Sequence, residues 1–316
     1  MRPSARWWRP ALLVAGTAVA VAGLRGHLPS PGATWLAMQA AAPWWLAAAA
    51  ALSVVSMAAF SEQQRRLLAA FGVLMPAGAS LALTYVRSAM AAALPAGSAI
   101  SAGYAFKRFR DRGAGHAAAG AVVLLSGVAS LAGLAVLYGV IEMPWLLWVL
   151  AGAAVVLALL PRAADAAGPS GGRLRDTLRL ARTVPPGRWV AVVGIAAANW
   201  ATDLGCLLAA VQAVHLDVPW TAVATGYLVA QLARQIPATP GGAGVIEAAL
   251  IIALTAAGAA TAPAAAAVLV YRVLSCWGVL PIGLACWAAA RRAGPVHSRA
   301  WRWTPARSAT LPRTPA

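Results

Sequence analysis

From residue 11 to residue 290 this chain turns apolar again and again for about the length a helix needs to cross a bilayer, and most of its charge sits in the short segments between. A hydrocarbon core offers the backbone no water, so segments of this length fold as helices that close their own hydrogen bonds. Composition agrees: 61% of the residues are hydrophobic and 10% charged, which all but excludes a soluble fold. The expected fold class is all-α, a polytopic integral membrane helix bundle.

The formal net charge of +17 is almost entirely arginine, with Lys107 as the one lysine, and the arginines gather in loops and near the termini. That is the distribution of cytoplasmic loops, so nucleic acid is not needed to explain it. Full spans are expected at residues 11–24, 43–60, 116–141, 144–160, 189–214 and 263–290. Residues 11–24 also admit a reading as a signal peptide, with Ala18-Val-Ala20 at the cleavage position. Residues 28–42 belong at the outer surface, and Glu62-Gln-Gln-Arg-Arg66 reads as a connection at the inner one. The loop 161–188 is rich in Gly, Pro and Arg, with 174–183 as a short helix lying on anionic headgroups. Residues 1–292 form one domain and 293–316 a basic, disordered tail. The expected location is the cell membrane, with both termini cytoplasmic.

Two segments do not fit as simple spans. Residues 71–94 are apolar, are interrupted by Arg87 and end at Pro95-Ala-Gly97; a short piece then leads to the basic run Lys107-Arg-Phe-Arg-Asp-Arg112. The piece 95–106 would be about 18 Å long as a helix, too short for a core of about 30 Å. A re-entrant hairpin, entering and leaving on the cytoplasmic side, keeps the basic residues inside. In the other half, Tyr227, Gln231, Arg234 and Gln235 share a helical face that runs into Pro237-Ala-Thr-Pro240-Gly-Gly242-Ala-Gly244, after which a new apolar helix begins with Glu247 in its first turn. The chain must leave this second hairpin on the outside. Two hairpins opening from opposite sides follow the logic of an inverted repeat, with Pro95-Ala-Gly97 lying over Pro240-Gly241-Gly242.

Ionisable groups near the bilayer centre cost about 2.5 to 3.5 kcal/mol each, so those found there call for a reason. Arg272 lies about 13 Å, and Asp203 about 16 Å, from the outer ends of their spans. Asn199 and Asp203 share one face, and Tyr271 and Ser275 flank Arg272. With Arg234 and Glu247 these form a set of two acids and two bases. Either they pair off and fix helix packing, or they contact a substrate headgroup. Gly241 to Gly244 lacks the spacing of a nucleotide loop, but its bare N–H groups at a helix start suit a lipid phosphate. Glu247 competes for that field and suits a cation, a proton or Arg272. Arg87 fits a headgroup boundary by snorkelling. Cys206, Cys276 and Cys286 lie in apolar runs without ligand spacing, and no catalytic triad, metal cluster or cofactor motif is present.

The run Pro237-Ala-Thr-Pro-Gly-Gly-Ala-Gly-Val-Ile-Glu247, with Tyr271-Arg272 in the next span, resembles the lysylphosphatidylglycerol synthase transmembrane family, over most of residues 8–292. The stretch from Leu94-Pro95 to Arg108 is similar to that family's first-half element, except that Ser98 to Gly103 carries no acid where the family leads one to expect it. The resemblance implies a flippase-like domain that moves a lipid or lipid-linked molecule, without the soluble aminoacyl-transfer domain and therefore without enzyme activity. Membrane lipids, with phosphate in the headgroup, are the expected partners. The alternatives are a membrane-embedded transferase or accessory subunit serving a partner lipid-modifying enzyme, and a structural packing protein.

Overall fold

The structure is a computed structural model that describes residues 31–94, 96–145, 177, 180–234 and 240–292. The expected first span, Pro95, Gln235, Pro237, most of the span at 144–160 and the tail lie outside the described residues. Within them every regular element is helical. After α1 (Pro31–Gln39) come α2 (Pro43–Ala70), α3 (Ala77–Ala93), α4 (Gly97–Asp111), α5 (His116–Ile141) and α6 (Pro186–Ala213). The second half continues with α7 (Trp220–Arg234), a 3₁₀ turn (Pro240–Gly242), α8 (Val245–Ala256), α9 (Thr261–Arg272), a π-helical segment (Val273–Trp277) and α10 (Val279–Arg292). Four stretches are long and apolar enough to cross a membrane: α2, α5, α6, and Thr261–Arg292 taken through its π segment. Thr177 and residues 180–183 are helical, inside the surface helix expected at 174–183.

Both 28-residue helices, α2 and α6, begin with proline in the first turn, where its missing N–H costs nothing. Trp44 and Trp45 stack at 4.1 Å beside the first of these prolines, in the position of an interfacial aromatic anchor. These two helices make the most extensive contact in the bundle, and α5 packs on α6 beside them. Small residues set the distances. A Cβ on Gly133 of α5 would fall 2.6 Å from the backbone of Ala196 and Ala197, and one on Gly283 of α10 would fall 2.6 Å from the Tyr85 carbonyl on α3.

One boundary differs from the sequence expectation in a way that matters later. The segment Glu62-Gln-Gln-Arg-Arg66 is not a connection but the last turns of α2, which runs on to Ala70. Glu62 bridges Arg65 at 2.6 Å and Arg66 at 2.9 Å along the helix surface, while Gln63 and Gln64 are buried. The turn back comes at 71–76, so the segment expected as 71–94 is helical only from Ala77. Lys107 to Asp111 likewise form the end of α4 rather than a loop.

Both expected hairpins are present. α3 and α4 fold back on each other across Leu94 to Ala96, where Ala96 takes a left-handed φ of 54° and Gly97 comes so close to α3 that a Cβ would lie 2.4 Å from the Met90 carbonyl. α7 and α8 fold back on each other across the Pro240–Gly242 turn. Buried apolar residues divide into two clusters, one at each end of the bundle. Leu67, Leu68, Val73, Phe109, Ala114 and Val192 mark the end reached by α2 and α4 and left by α5 and α6. Val211, Leu216, Val223, Leu254 and Ala264 mark the other, from which α7 departs and to which α8 returns. The hairpins therefore enter from opposite ends, and their turns meet: Gly241 lies against Ala92, where a Cβ would be 3.1 Å from the Ala92 backbone.

Candidate functional site

The site is built where the second hairpin breaks. Gly241, Gly242 and Gly244 have φ of 61°, 68° and 83°, a run of left-handed backbone that only glycine adopts without strain. This lets the chain reverse within a few residues and present α8 with Glu247 in its first turn. Glu247 Oε2 accepts the Gly244 N–H at 2.7 Å, and Oε1 accepts Arg272 Nε at 2.6 Å. Arg272 Nη2 also donates to the Gly241 carbonyl at 3.2 Å. Arg272 is 2% exposed and is the largest fully buried side chain among the described residues. It thus latches α9 to the turn and to the start of α8. Of the occupants weighed for Glu247, Arg272 is the one found, and the carboxylate itself takes a backbone donor that a phosphate at this helix start would need.

Directly after Arg272, α9 passes into the π segment, where the Gly278 N–H reaches the Val273 carbonyl at 2.6 Å. Such bulges recur at functional sites because they re-aim the side chains on either side. Ser275 lies in the bulge with its hydroxyl buried and without a hydrogen-bond partner. Nothing in the sequence announced the bulge.

One turn away a second group forms around Asp203 of α6. Its Oδ2 accepts hydrogen bonds from Tyr227 and Tyr271, each at 2.8 Å, and a longer one from Gln231 Nε2 at 3.4 Å. Gln231 also reaches the Tyr271 hydroxyl at 3.5 Å. Tyr227, Gln231 and Tyr271 are buried. Tyr227 and Gln231, the first two members of the polar stripe expected on α7, thus close on an acid contributed by another helix; Gln235 lies outside the described residues. Arg234, the third member, is exposed, and no described acid bridges it.

Two site residues are placed elsewhere. Asn199 shares a face with Asp203 but serves a different contact: its Oδ1 accepts the Ser56 hydroxyl at 2.9 Å, tying α6 to α2. Arg87 sits on the first hairpin and bonds Gln64. Sequence reasoning missed Ser56, Gln63, Gln64 and Trp200. Trp200 Nε1 donates to the Ser130 carbonyl at 2.8 Å and so fixes α6 against α5 close to Asp203. The signal for the glutamines was available: Ser53, Ser56, Phe60, Gln63 and Leu67 keep a three-to-four residue spacing that carries the face of α2 past the charges. Cys206 and Cys276 are buried, free thiols, in keeping with small core residues.

The family model for the lysylphosphatidylglycerol synthase transmembrane region matches residues 11–283. The chain belongs to this family. Its match takes in both hairpins, the Glu247–Arg272 latch and the Asp203 group. No curated protein matches the chain. Membership makes it a multi-pass membrane protein of a lipid-related family, and the buried polar residues above are what its membrane-crossing bundle holds inside.

Proposed function

We propose that this protein is a lipid flippase: it carries a lipid with a phosphate-containing headgroup across the membrane without making or breaking a covalent bond. The observation that carries the reading is the unequal pairing at the second break. Glu247 and Arg272 satisfy each other, and Asp203 is held by two tyrosines, which leaves Arg234 exposed beside them with no described acid bridged to it. A guanidinium in that position offers a fork of donors to a phosphodiester. Asp203, bonded to the tyrosines through Oδ2, balances a cationic headgroup.

The hairpins supply the moving parts. Each second limb packs on the span that follows it, α4 on α5 and α8 on α9; each preceding span packs there too, α2 on α5 and α6 on α9; and α2 and α6 pack on each other. We read this correspondence as an inverted repeat with its pseudo-axis near the α2–α6 contact. The hairpin turns meet at Gly241 and Ala92, and rocking of one hairpin against the other there exposes the site to alternate faces. On this reading the basic ends of α2 and α4 face the cytoplasm of a cell membrane.

The test is reconstitution of the full chain into liposomes with a panel of labelled lipids. Arg234→Gln is expected to abolish movement of phosphate-bearing lipids and to leave thermal stability unchanged, because its side chain is exposed. Movement at the unaltered rate by a well-folded Arg234→Gln protein refutes the assignment.

A further inference from the structure

The first hairpin holds an arginine to which no described acid is bridged. Arg87 Nη1 donates to Gln64 Oε1 on α2, and its Cζ lies 6.0 Å from the centre of the Phe60 ring. Its Nε is buried and donates to nothing, and so is the side-chain nitrogen of Gln64, a residue only 2% exposed. Glu62, two residues before Gln64, is already bridged by Arg65 and Arg66. The pair therefore presents a positive charge and spare N–H groups from two helices. What it lacks is an acceptor, and a charged one satisfies both the donors and the guanidinium. Gln63 Oε1, a buried acceptor without a partner, belongs to a different side of α2, since its amide nitrogen donates to the Ser126 carbonyl on α5 at 2.9 Å.

We propose that Arg87 and Gln64 form a second anion site, on the first hairpin, that takes the phosphodiester of a membrane lipid. Depth selects that anion. α2 and α3 run antiparallel, with Ser61 bonded to Ser80 at 2.9 Å and Ser88 reaching Met57 at 3.9 Å. The Arg87 backbone thus lies level with the Met57 region, and its side chain extends past Phe60 to Gln64, toward the end of α2. Gln64 is about 9 Å from that end by helix rise. Beside it stand Arg65 and Arg66, so the donors sit where a bilayer carries its phosphates and where a long arginine reaches by snorkelling. The site is separate from the Glu247–Arg272 latch, whose arginine is matched within the protein. It rests on the lipid reading above only for the identity of the anion, since inorganic phosphate offers the same chemistry.

The experiment follows hydrogen exchange of residues 60–90 in the full chain, held in dodecyl maltoside and titrated with phosphatidylglycerol, with diacylglycerol or with inorganic phosphate. At about ten times its Kd, a ligand that must leave before the segment opens slows exchange roughly tenfold. Phosphatidylglycerol is expected to do so and diacylglycerol, which lacks the phosphate, is not. Gln64→Glu places a carboxylate beside Arg87, and it should fold at least as stably as the unaltered chain while losing the lipid effect. Equal protection of Gln64→Glu and the unaltered chain by phosphatidylglycerol overturns the proposal, as does protection by neither lipid. Protection by inorganic phosphate alone overturns the lipid assignment. Should Gln64→Glu not fold, Arg87→Gln serves instead, and retained protection there is equally fatal. Lipid movement in liposomes is read separately: movement without protection removes this site and leaves the flippase, and protection without movement does the reverse.

Discussion

Replacing Glu247 with glutamine should damage this protein more than replacing its partner, Arg272, with methionine. The two side chains are buried to different degrees, 2% exposed for Arg272 against 21% for Glu247. Glutamine keeps one acceptor oxygen for Arg272 Nε but turns its amide N–H groups toward the Gly244 N–H, and the guanidinium stays buried with its charge uncompensated, at a cost of about 3 to 5 kcal/mol. Without Arg272 the carboxylate keeps the Gly244 N–H and a path to water, and the unsatisfied oxygen costs about 1 to 3 kcal/mol. Methionine fills most of the space that arginine leaves, so no large cavity adds to this. The double variant should recover most of the loss. Thermal denaturation in detergent for the two single variants and the double gives the coupling energy as a cycle, expected at about 2 kcal/mol or more, inside the range found for residues in contact. Equal costs for both single variants, or a coupling under about 0.5 kcal/mol, would refute the reasoning from burial. Lipid movement measured on the same proteins separates packing from function: a stable double variant that still moves lipid at full rate makes the latch purely structural.

Other substitutions test other parts of the structure. Gly283→Ala places a methyl 2.5 Å from the Ala89 side chain and 2.6 Å from the Tyr85 carbonyl, and should cost about 1 to 3 kcal/mol in thermal or denaturant unfolding; Gly127→Ala, with open space around it, should be neutral or stabilising. Tyr271→Phe removes one of two hydroxyls from the Asp203 carboxylate, with an expected loss of about 1.5 to 3 kcal/mol, and Asp203→Asn should fold, since the amide oxygen still accepts from both tyrosines, but should move no cationic headgroup. A single cysteine at Arg110 in a cysteine-free background should resist an impermeant thiol reagent applied from outside the cell; labelling from outside places the ends of α2 and α4 on the wrong face.

The hairpins were legible in the sequence because their evidence is local: a helix too short to cross, a Pro-Gly break and a basic run that must stay on one side. The partners at the site were not, because sequence places residues by depth and face but not by helix neighbour. Asp203 and Asn199 looked like one unit from their spacing of four; in the bundle Asn199 turns to Ser56 of α2 and Asp203 to the tyrosines of α7 and α9. Glycine was equally opaque. The chain is rich in small residues, and only the packing shows that Gly133, Gly226 and Gly283 are sites of close approach while Gly103, Gly127 and Gly194 border open space.

The end of α2 shows the deeper reason for the misreading. Five polar residues in a row at 62–66 satisfy every local criterion for a connection, yet a helix turns 100° per residue and can put neighbours in different surroundings. Glu62, Arg65 and Arg66 pair along the solvent side, which leaves Gln63 and Gln64 to face the bundle. A polar run on a helix thus divides itself: the charges that can neutralise each other within a turn do so at the surface, and the amides between them are turned inward. Arg87 is the counterpart from the facing helix. In the second half the buried arginine finds its acid three residues past Gly244, in Glu247; in the first half α4 has no acid in its opening turn, and Ser98 to Gly103 supplies none. The two hairpins therefore differ in charge: the second is latched internally, and the first holds a cation to which no described acid is bridged.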